Sequence, residues 1–392
     1  MANYVKIGME TAFGTEAGTV TGVLVTGVND TVDRGTLIEE TTSDYLARSA
    51  YGGALQPSGS IDANLRALQG EDFIYALMGI QTTLGTTRTY TFGTSKSMSI
   101  KVGEDTSEQS EITYTGCGVT SMDFTFEAKD FIKTSINWMA KDLEDTSSAF
   151  DSAVTYINEQ PIVFYRAYIT LDGDTTIGIK SLSMTVDRGL DSDQFVLGSF
   201  KRYRLASTSQ SSVTGSLTFT ENEFDSMLKA MFGSSTATIV PANNVLGGGS
   251  MVIECQTVDG VSNITFTCPV SVYNNVNRSS SGKTEIEKTV DYTVINELGS
   301  PFSIAITDDT TVPVSITSIT ATDTYLSVAC SAVVVGSPTS YLWNFGDGEV
   351  SDEVAPTHVY ASADTYTITL TIDKMDSASD TDTTSVTVAA EP

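Results

Sequence analysis

The pentapeptide TVDRG occupies residues 31–35 and recurs unchanged at 185–189, 154 positions later. One repeated pentapeptide can arise by chance, so the residues downstream of each copy decide its meaning. After the first come a polar stretch, GSIDANLRAL (59–68) and DFIYALMG (72–79). After the second come a similar stretch, GSLTFTENEF (215–224) and SMLKAMFG (226–233). Gly79 and Gly233 are again 154 apart, SMSIKV (97–102) answers SMVIEC (250–255) at 153, and GVTSMDFTF (118–126) loosely matches GVSNITFT (260–267). Blocks in one order at nearly one offset point to an internal duplication.

Each copy predicts the same elements. In SLSMTVD (181–187), apolar Leu182, Met184 and Val186 alternate with polar Ser183, Thr185 and Asp187, the period of a half-buried strand. Arg-Gly then opens a long connection, 36–58 in the first copy and 190–214 in the second, longer than most loops without a role. A second strand sets Leu217 and Phe219 opposite Ser216, Thr218 and Thr220. A short amphipathic helix follows. Thr220 with Glu223 forms a capping box and Gly233 suits a left-handed C-cap; the first copy's helix ends likewise at Gly79 but lacks a Ser/Thr cap. MDFTFEA (122–128) and TSINWMA (134–140) add strands. The expected fold is mainly β: two tandem β-barrel or sandwich domains at 1–150 and 151–310, each with one flanking α-helix, then a β-sandwich at 313–392. In that last segment Tyr366, Ile368, Leu370 and Ile372 share one strand face, and Trp343 is placed with Tyr366 to build the core.

Composition narrows function. The 392 residues carry 49 acids against 21 bases, a formal charge of −28. Residues 313–392 hold 11 acids and one base, net −10, which leaves −18 for the remainder. Such a chain repels the dense phosphate charge of nucleic acid. The start, MANYVKIGMETAFG, reads as no secretory signal, and no apolar run suits membrane insertion. Cys117, Cys255, Cys268 and Cys330 are widely spaced, which predicts free buried thiols. The single histidine, His358, lies inside a strand without a nucleophile-elbow sequence elsewhere, and Gly247–Gly249 lack the Lys-Ser/Thr of a phosphate loop. Asp373, Asp376, Asp380 and Asp382 match no calcium-loop spacing and read as a solvated turn. The carboxylate pairs Glu39-Glu40 and Asp352-Glu353 sit in polar loops that would not shift an acid towards catalysis. The expectation is no enzyme, no cofactor and no metal.

Two resemblances rest on particular residues. WNFGDG (343–348), PTHVY (356–360) and DTYTITLTI (364–372) resemble a PKD-type immunoglobulin-like domain. PIVFYRAYITLDGDTTIGIKSLSMTVDRG (161–189), the long connection, the strand-then-helix segment and EKTVDYTVINE (287–297) resemble the major tail tube proteins of long-tailed phages and related viruses. That family implies domains that form six-membered rings, stacked into a hollow tube, with inner strands joined into one barrel around the lumen. Two copies per chain then imply three chains per ring with pseudo-sixfold symmetry. The resemblance implies a structural protein of a siphovirus-like virion tail, assembled in the host cytoplasm. Its partners would be itself, the tail terminator, tip and tape-measure proteins, with viral DNA passing through the lumen without specific binding. The PKD-type domain would decorate the outer surface, covering the tube or touching host-surface glycans weakly. The alternative is a secreted or cell-surface β-rich adhesion protein with a PKD domain, which the missing signal disfavours. A surface hydrolase comes last.

Within that expectation, a lumen that lets DNA slide should be polar and acidic. The candidates are Asn29, Thr31, Asp33, Ser60, Asp62 and Asn64 in the first copy and Ser183, Thr185, Asp187, Ser216, Thr218 and Thr220 in the second. Alternation puts them on shared polar faces and leaves lumen versus exterior open. The long connections differ in charge: the first carries Glu39, Glu40 and Arg48, the second Lys201, Arg202 and Arg204. With Arg34 and Arg188 they are candidates for contacts between rings or subunits, where complementary charge fixes register; the competing reading is that both are simply solvated.

Overall fold

The computed structural model describes residues 4–39, 49–104, 110–146, 151, 153–157, 159–171, 174–175, 179–219, 248–258, 260–279, 287–296, 299, 301–308, 315–335, 340–373 and 379–390. One compact unit comprises Met1–Thr257 and Asn263–Ile306, a second Val258–Ser262 and Thr307–Pro392.

The first half of the larger unit contains β1 (Tyr4–Met9), β2 (Thr21–Val23), β3 (Gly27–Glu39), β4 (Ser49–Asn64), α1 (Glu71–Met78), β5 (Gly79–Leu84), β6 (Thr87–Phe92), β7 (Met98–Glu104), β8 (Ser110–Glu127), β9 (Lys133–Met139) and β10 (Asp142–Thr146). The second half contains β11 (Ala167–Leu171), β12 (Asp174–Thr175), β13 (Ile179–Asp187), β14 (Ser212–Phe219), β15 (Gly248–Gln256), β16 (Ser262–Ser279), β17 (Glu287–Ile295) and β18 (Ser303–Asp308). The helix α1 buries Phe73, Ile74, Ala76, Leu77 and Met78 and stops at Gly79. There φ is +92° and the amide bonds back to Tyr75 O, a left-handed cap that a side chain would strain. The second copy's expected helix, 226–233, and its capping box lie outside the described residues.

Pairing repeats between the halves. The first runs β3–β4–β9–β8, all antiparallel, and the second β13–β14–β17–β16. Asn29 faces Ser60 as Ser183 faces Ser216. Gly59 faces Trp138 as Gly215 faces Tyr292. A Cβ added at either glycine would lie 2.6 Å from that aromatic side chain, so both positions need glycine for the rings to lie across the strand. β8 and β16 are 18 residues long and change sheets. Their first parts pair with β7 and β15, their later parts with β9 and β17. The bulges that accompany the change, at Val119/Ser121 and Tyr273/Asn275, are again 154 apart. β1 extends the outer layer on β7, and β11 does so on β15. Each half is therefore a two-layer sandwich with its core between the layers.

The halves share one sheet. β8 pairs with β13 from Ser121↔Asp187 to Glu127↔Ser181, giving the continuous order β3–β4–β9–β8–β13–β14–β17–β16. The core is likewise continuous: Phe266 packs against Phe124 at 4.9 Å and Phe126 at 6.4 Å between ring centroids, both edge-on.

The smaller unit is a β-sandwich of β19 (Ser315–Thr324), β20 (Ser327–Val335), β21 (Ser340–Asn344), β22 (Val350–Ser351), β23 (Thr357–Val359), β24 (Thr365–Asp373) and β25 (Asp380–Thr387). Its sheets run β19–β20–β23 and β22–β21–β24–β25. Trp343, Ile368, Leu370 and Ile372 are buried between them, with Tyr366 half-buried beside them. The Trp343 indole donates to Glu353 O at 3.0 Å. His358 is buried, stacked on Phe345 at 4.1 Å, with its Nε2 2.7 Å from Asp347 Oδ2. That hydrogen bond helps hold the Asp347 carboxyl below its ordinary range, against the opposing effect of burial.

Candidate functional site

The eight-stranded sheet turns one face to the core. The other carries polar residues in rows that cross both halves. One row reads Asn29, Ser60, Asn137, Ser121, Asp187 and Ser212. The next reads Asp62, Ser135, Asp123, Thr185, Thr214 and Thr293, and the third Asn64, Lys133, Thr125, Ser183, Ser216 and Asp291. Thr218 sits beside Thr289, while Thr31 and Asp33 stand opposite Ser58 and Gln56. Eleven of the twelve polar-face candidates thus share one surface, and Thr220 lies outside the described residues. Four carboxylates in the three rows (Asp62, Asp123, Asp187, Asp291) face one base, Lys133, which Asp130 pairs at 2.6 Å. At the first-half end Asn29, Thr31, Asp33, Ser60 and Arg202 are among the residues that line a concavity of about 650 Å³.

Side chains on this face bond to one another. Asp123 accepts from Asn137 Nδ2 at 3.2 Å and from Thr185 Oγ1 at 2.5 Å, so one carboxylate ties the two halves. Ser183 and Ser216 share a 2.8 Å hydrogen bond across β13–β14, as Thr218 and Thr289 share one of 3.1 Å across β14–β17. The carboxylates of the rows give the surface a negative charge that a phosphate backbone does not favour. The sequence reading missed Ser121, Asp123, Thr125, Ser135, Asn137 and Asp291. The alternation in MDFTFEA and TSINWMA carries the signal for Asp123, Thr125, Ser135 and Asn137 once those strands are sorted by face.

The connections behave differently. Residues 190–207 pack on the first half of the same chain. Phe200 O accepts from Leu55 N at 2.8 Å, and Lys201 pairs with Asp142. Buried Arg202 donates to Ala140 O and, at 3.3 Å, to Pro57 O. Arg188 is buried too. Its guanidinium bonds Ser95 Oγ at 2.9 Å, Ser211 Oγ at 3.0 Å and Gly93 O, and it lies over the Phe92 ring. It therefore bridges the halves. Arg204 is exposed and reaches Gln194 at 3.1 Å. The first connection is a hairpin arm in which β3 and β4 continue past the sheet as Thr36↔Gly52, Leu37↔Tyr51 and Ile38↔Ala50. Arg34 is exposed there, and Glu39 accepts from Ser49 Oγ at 2.6 Å. Glu40 and Arg48 lie outside the described residues.

Comparison with known proteins finds two matching families. A family model described as phage tail tube protein matches residues 2–237, and a PKD domain model matches 307–388. Over the PKD domain alone the chain is similar to collagenase ColA of Bacillus cereus, 47% identical over 57 residues. It is also similar there to the pre-pro-metalloprotease PrtV of Vibrio cholerae, 43% identical over 56. Each match covers 14% of this chain and only 6% of the relative. Among solved structures, the PKD1 domain of Vibrio anguillarum Epp is 28% identical, with 20% of this chain and 96% of that one covered and a TM-score of 0.20. The PKD1 domain of Vibrio cholerae PrtV is 32% identical, with 20% and 100% covered and a TM-score of 0.19.

Proposed function

The chain belongs to the phage tail tube protein family, and from that premise we propose that three copies close head to tail into a pseudo-hexameric ring, stacked into the tube through which viral DNA passes. The two halves are then tandem copies of one tube domain, at about 1–150 and 151–310. The observation that carries the reading is the β8–β13 pairing, a tube-domain joint already made inside one chain. The same joint between chains lays β3 of one copy along β16 of the next. Carried over at the repeat offset of 154, Asp33 falls opposite Asn275, Thr31 opposite Asn277 and Asn29 opposite Ser279. Among the described residues β3 forms a ladder only with β4, so its other edge is open to that partner. A head-to-tail contact closes when its rotation divides a full turn.

Eight strands per chain give twenty-four per ring. At ~4.8 Å spacing and a tilt of about 40° such a barrel measures roughly 48 Å between opposite backbones, wide enough for a DNA duplex. The polar rows become the lumen wall, where carboxylates and mutually bonded hydroxyls keep phosphates sliding. The PKD domain then lies on the outer surface as a cover, with weak host-glycan contact as its further role. Terminator, tip and tape-measure proteins complete the tail, and assembly takes place in the host cytoplasm. A secreted binding protein is the competing reading, favoured by the likeness of the PKD domain to protease domains. Negative-stain microscopy separates the two. Rings with threefold symmetry, or tubes, are the expected particles; monomers at every concentration and salt would sink the tube reading.

A further inference from the structure

The packed loop 190–207 shows where such a connection goes. Its seat on the first half is Leu55, Pro57, Ala140 and Asp142. The repeat offsets (156 for β4 to β14, 154 for β9 to β17) carry that seat to Ser211, Val213, Val294 and Asn296. All four line one groove of about 510 Å³, with Phe92 and Phe302. Among the described residues the groove is open, whereas the equivalent seat is covered.

The counterpart of the seated loop is the β3–β4 arm, and it exposes large apolar side chains. Leu37 is 63% exposed, Ile38 57% and Tyr51 62%. Leu37 and Tyr51 stand opposite each other on one face of the hairpin and Ile38 on the other, and paired apolar side chains this exposed are ones a soluble surface seldom leaves uncovered. The arm rises from the first strand of the sheet, and β14 is the sixth, so five spacings, about 24 Å, separate the arm's root from the groove of its own chain.

We infer that the arm of one chain, through the face that carries Leu37 and Tyr51, seats in the groove lined by Ser211, Val213, Val294, Asn296 and Phe302 of the next chain in the ring. This rests on the ring reading. The occupant is a second copy of the chain, because arm and groove are the unmatched counterparts of a loop and seat that already meet inside it. Both also lie beside the sheet edges that the proposed β3–β16 joint brings together. The interface between chains is thereby apolar, whereas its counterpart inside the chain is held by Lys201 and Arg202.

Cross-linking tests the seat. The native thiols are buried, and burial pushes those of Cys117, Cys255 and Cys268 up, which leaves them unreactive. In the double variant Tyr51→Cys, Ile295→Cys, both sites are exposed. A short bismaleimide should convert most of the protein in rings to covalent dimers and trimers, ending at three chains. Tyr51→Cys alone should give none. Leu37→Asp, at an exposed site, should leave the melting temperature of the monomer unchanged and abolish rings at concentrations where the unaltered protein forms them. Rings without the cross-link, a ladder running past three chains, or normal rings from Leu37→Asp overturn the arm assignment and leave the ring reading standing. Absence of rings from the unaltered protein overturns both.

Discussion

The word TVDRG is spelled alike at 31–35 and 185–189, yet the two copies lie in opposite surroundings. Val186 is fully buried, under a sheet that β8 continues on one side and β14 on the other. Val32 is 45% exposed on a strand with one described partner. Arg188 is buried among Gly93, Ser95 and Ser211; Arg34 is exposed. Identical residues differ because one copy has its neighbour in the same chain and the other does not. On the proposed ring, the surface that is core in one copy and open in the other is where the neighbouring chain sits, with the closed copy as its template.

The sharpest way to break this comparison is to place a charge at the shared valine. Val186→Asp leaves a carboxylate unpaired in a dry core and should cost about 4 kcal/mol or more, enough to unfold the unit. Val32→Asp should shift monomer stability by no more than about 0.5 kcal/mol and act only on assembly. Denaturant titration of both variants at low protein concentration gives the two numbers. Equal losses would mean that Val32 is packed in the isolated chain, and the contrast would fail.

The segment joining the halves adds a pH-dependent asymmetry. Glu159 is buried against the turn before α1, where its carboxylate accepts from Leu68 N and Gln69 N. Burial raises its pKa to about 7, and those amides and Arg66 only partly offset the shift. The folded chain therefore binds this proton more tightly than the unfolded one. Its contribution is fully present below about pH 4.5 and is lost as pH rises through about 7, a change of roughly 3 kcal/mol. Glu159→Gln should flatten that slope in urea melts between pH 5 and 8. An unchanged slope would assign the proton elsewhere.

The legible and illegible parts of the sequence divide along the same line. TVDRG is legible because it recurs unchanged, and the glycine that opens each GS strand and the α1 terminus at Gly79 because each fixes a backbone requirement that few residues meet. Trp343 and the Tyr366–Ile372 alternation were readable because a sandwich core needs large side chains at period two. The later blocks were matched out of register. Pairing sets GVTSMDFTF (118–126) against 272–280 rather than 260–267, and Met98 against Gly249 rather than Met251. An 18-residue strand that changes sheets at a bulge presents two alternating patterns, and the eye joins the wrong pair. The fate of the long connections was illegible. Their charges suggested complementary partners, but the second is seated by buried Arg202 carbonyl contacts and the first exposes Leu37, Ile38 and Tyr51. Composition cannot report a seat formed by residues 59 to 145 positions away.

The smallest effect on stability tests the polar face. Asp33 and Asp62 are exposed there, one on each strand of the β3–β4 pair. Replacing both with lysine should move stability by no more than about 0.5 kcal/mol, because neither side chain is packed. In a ring of three chains it exchanges six carboxylates for six ammonium groups. If this face is the lumen wall, Asp33→Lys with Asp62→Lys should still assemble, but its tubes should retain duplex DNA that the unaltered tubes release. That retention should fall steeply as salt rises, since each phosphate contact releases condensed counterions and contributes a slope of about −0.9 in log affinity against log salt. Short labelled duplexes on preformed tubes give the slope. Retention with no salt dependence would point to trapping rather than charge, and no retention by intact tubes would move the acidic face to the outside. The outcome also reflects back on TVDRG, since Asp33 and Asp187 share that face and exchange surface with Val32 and Val186 at every second residue.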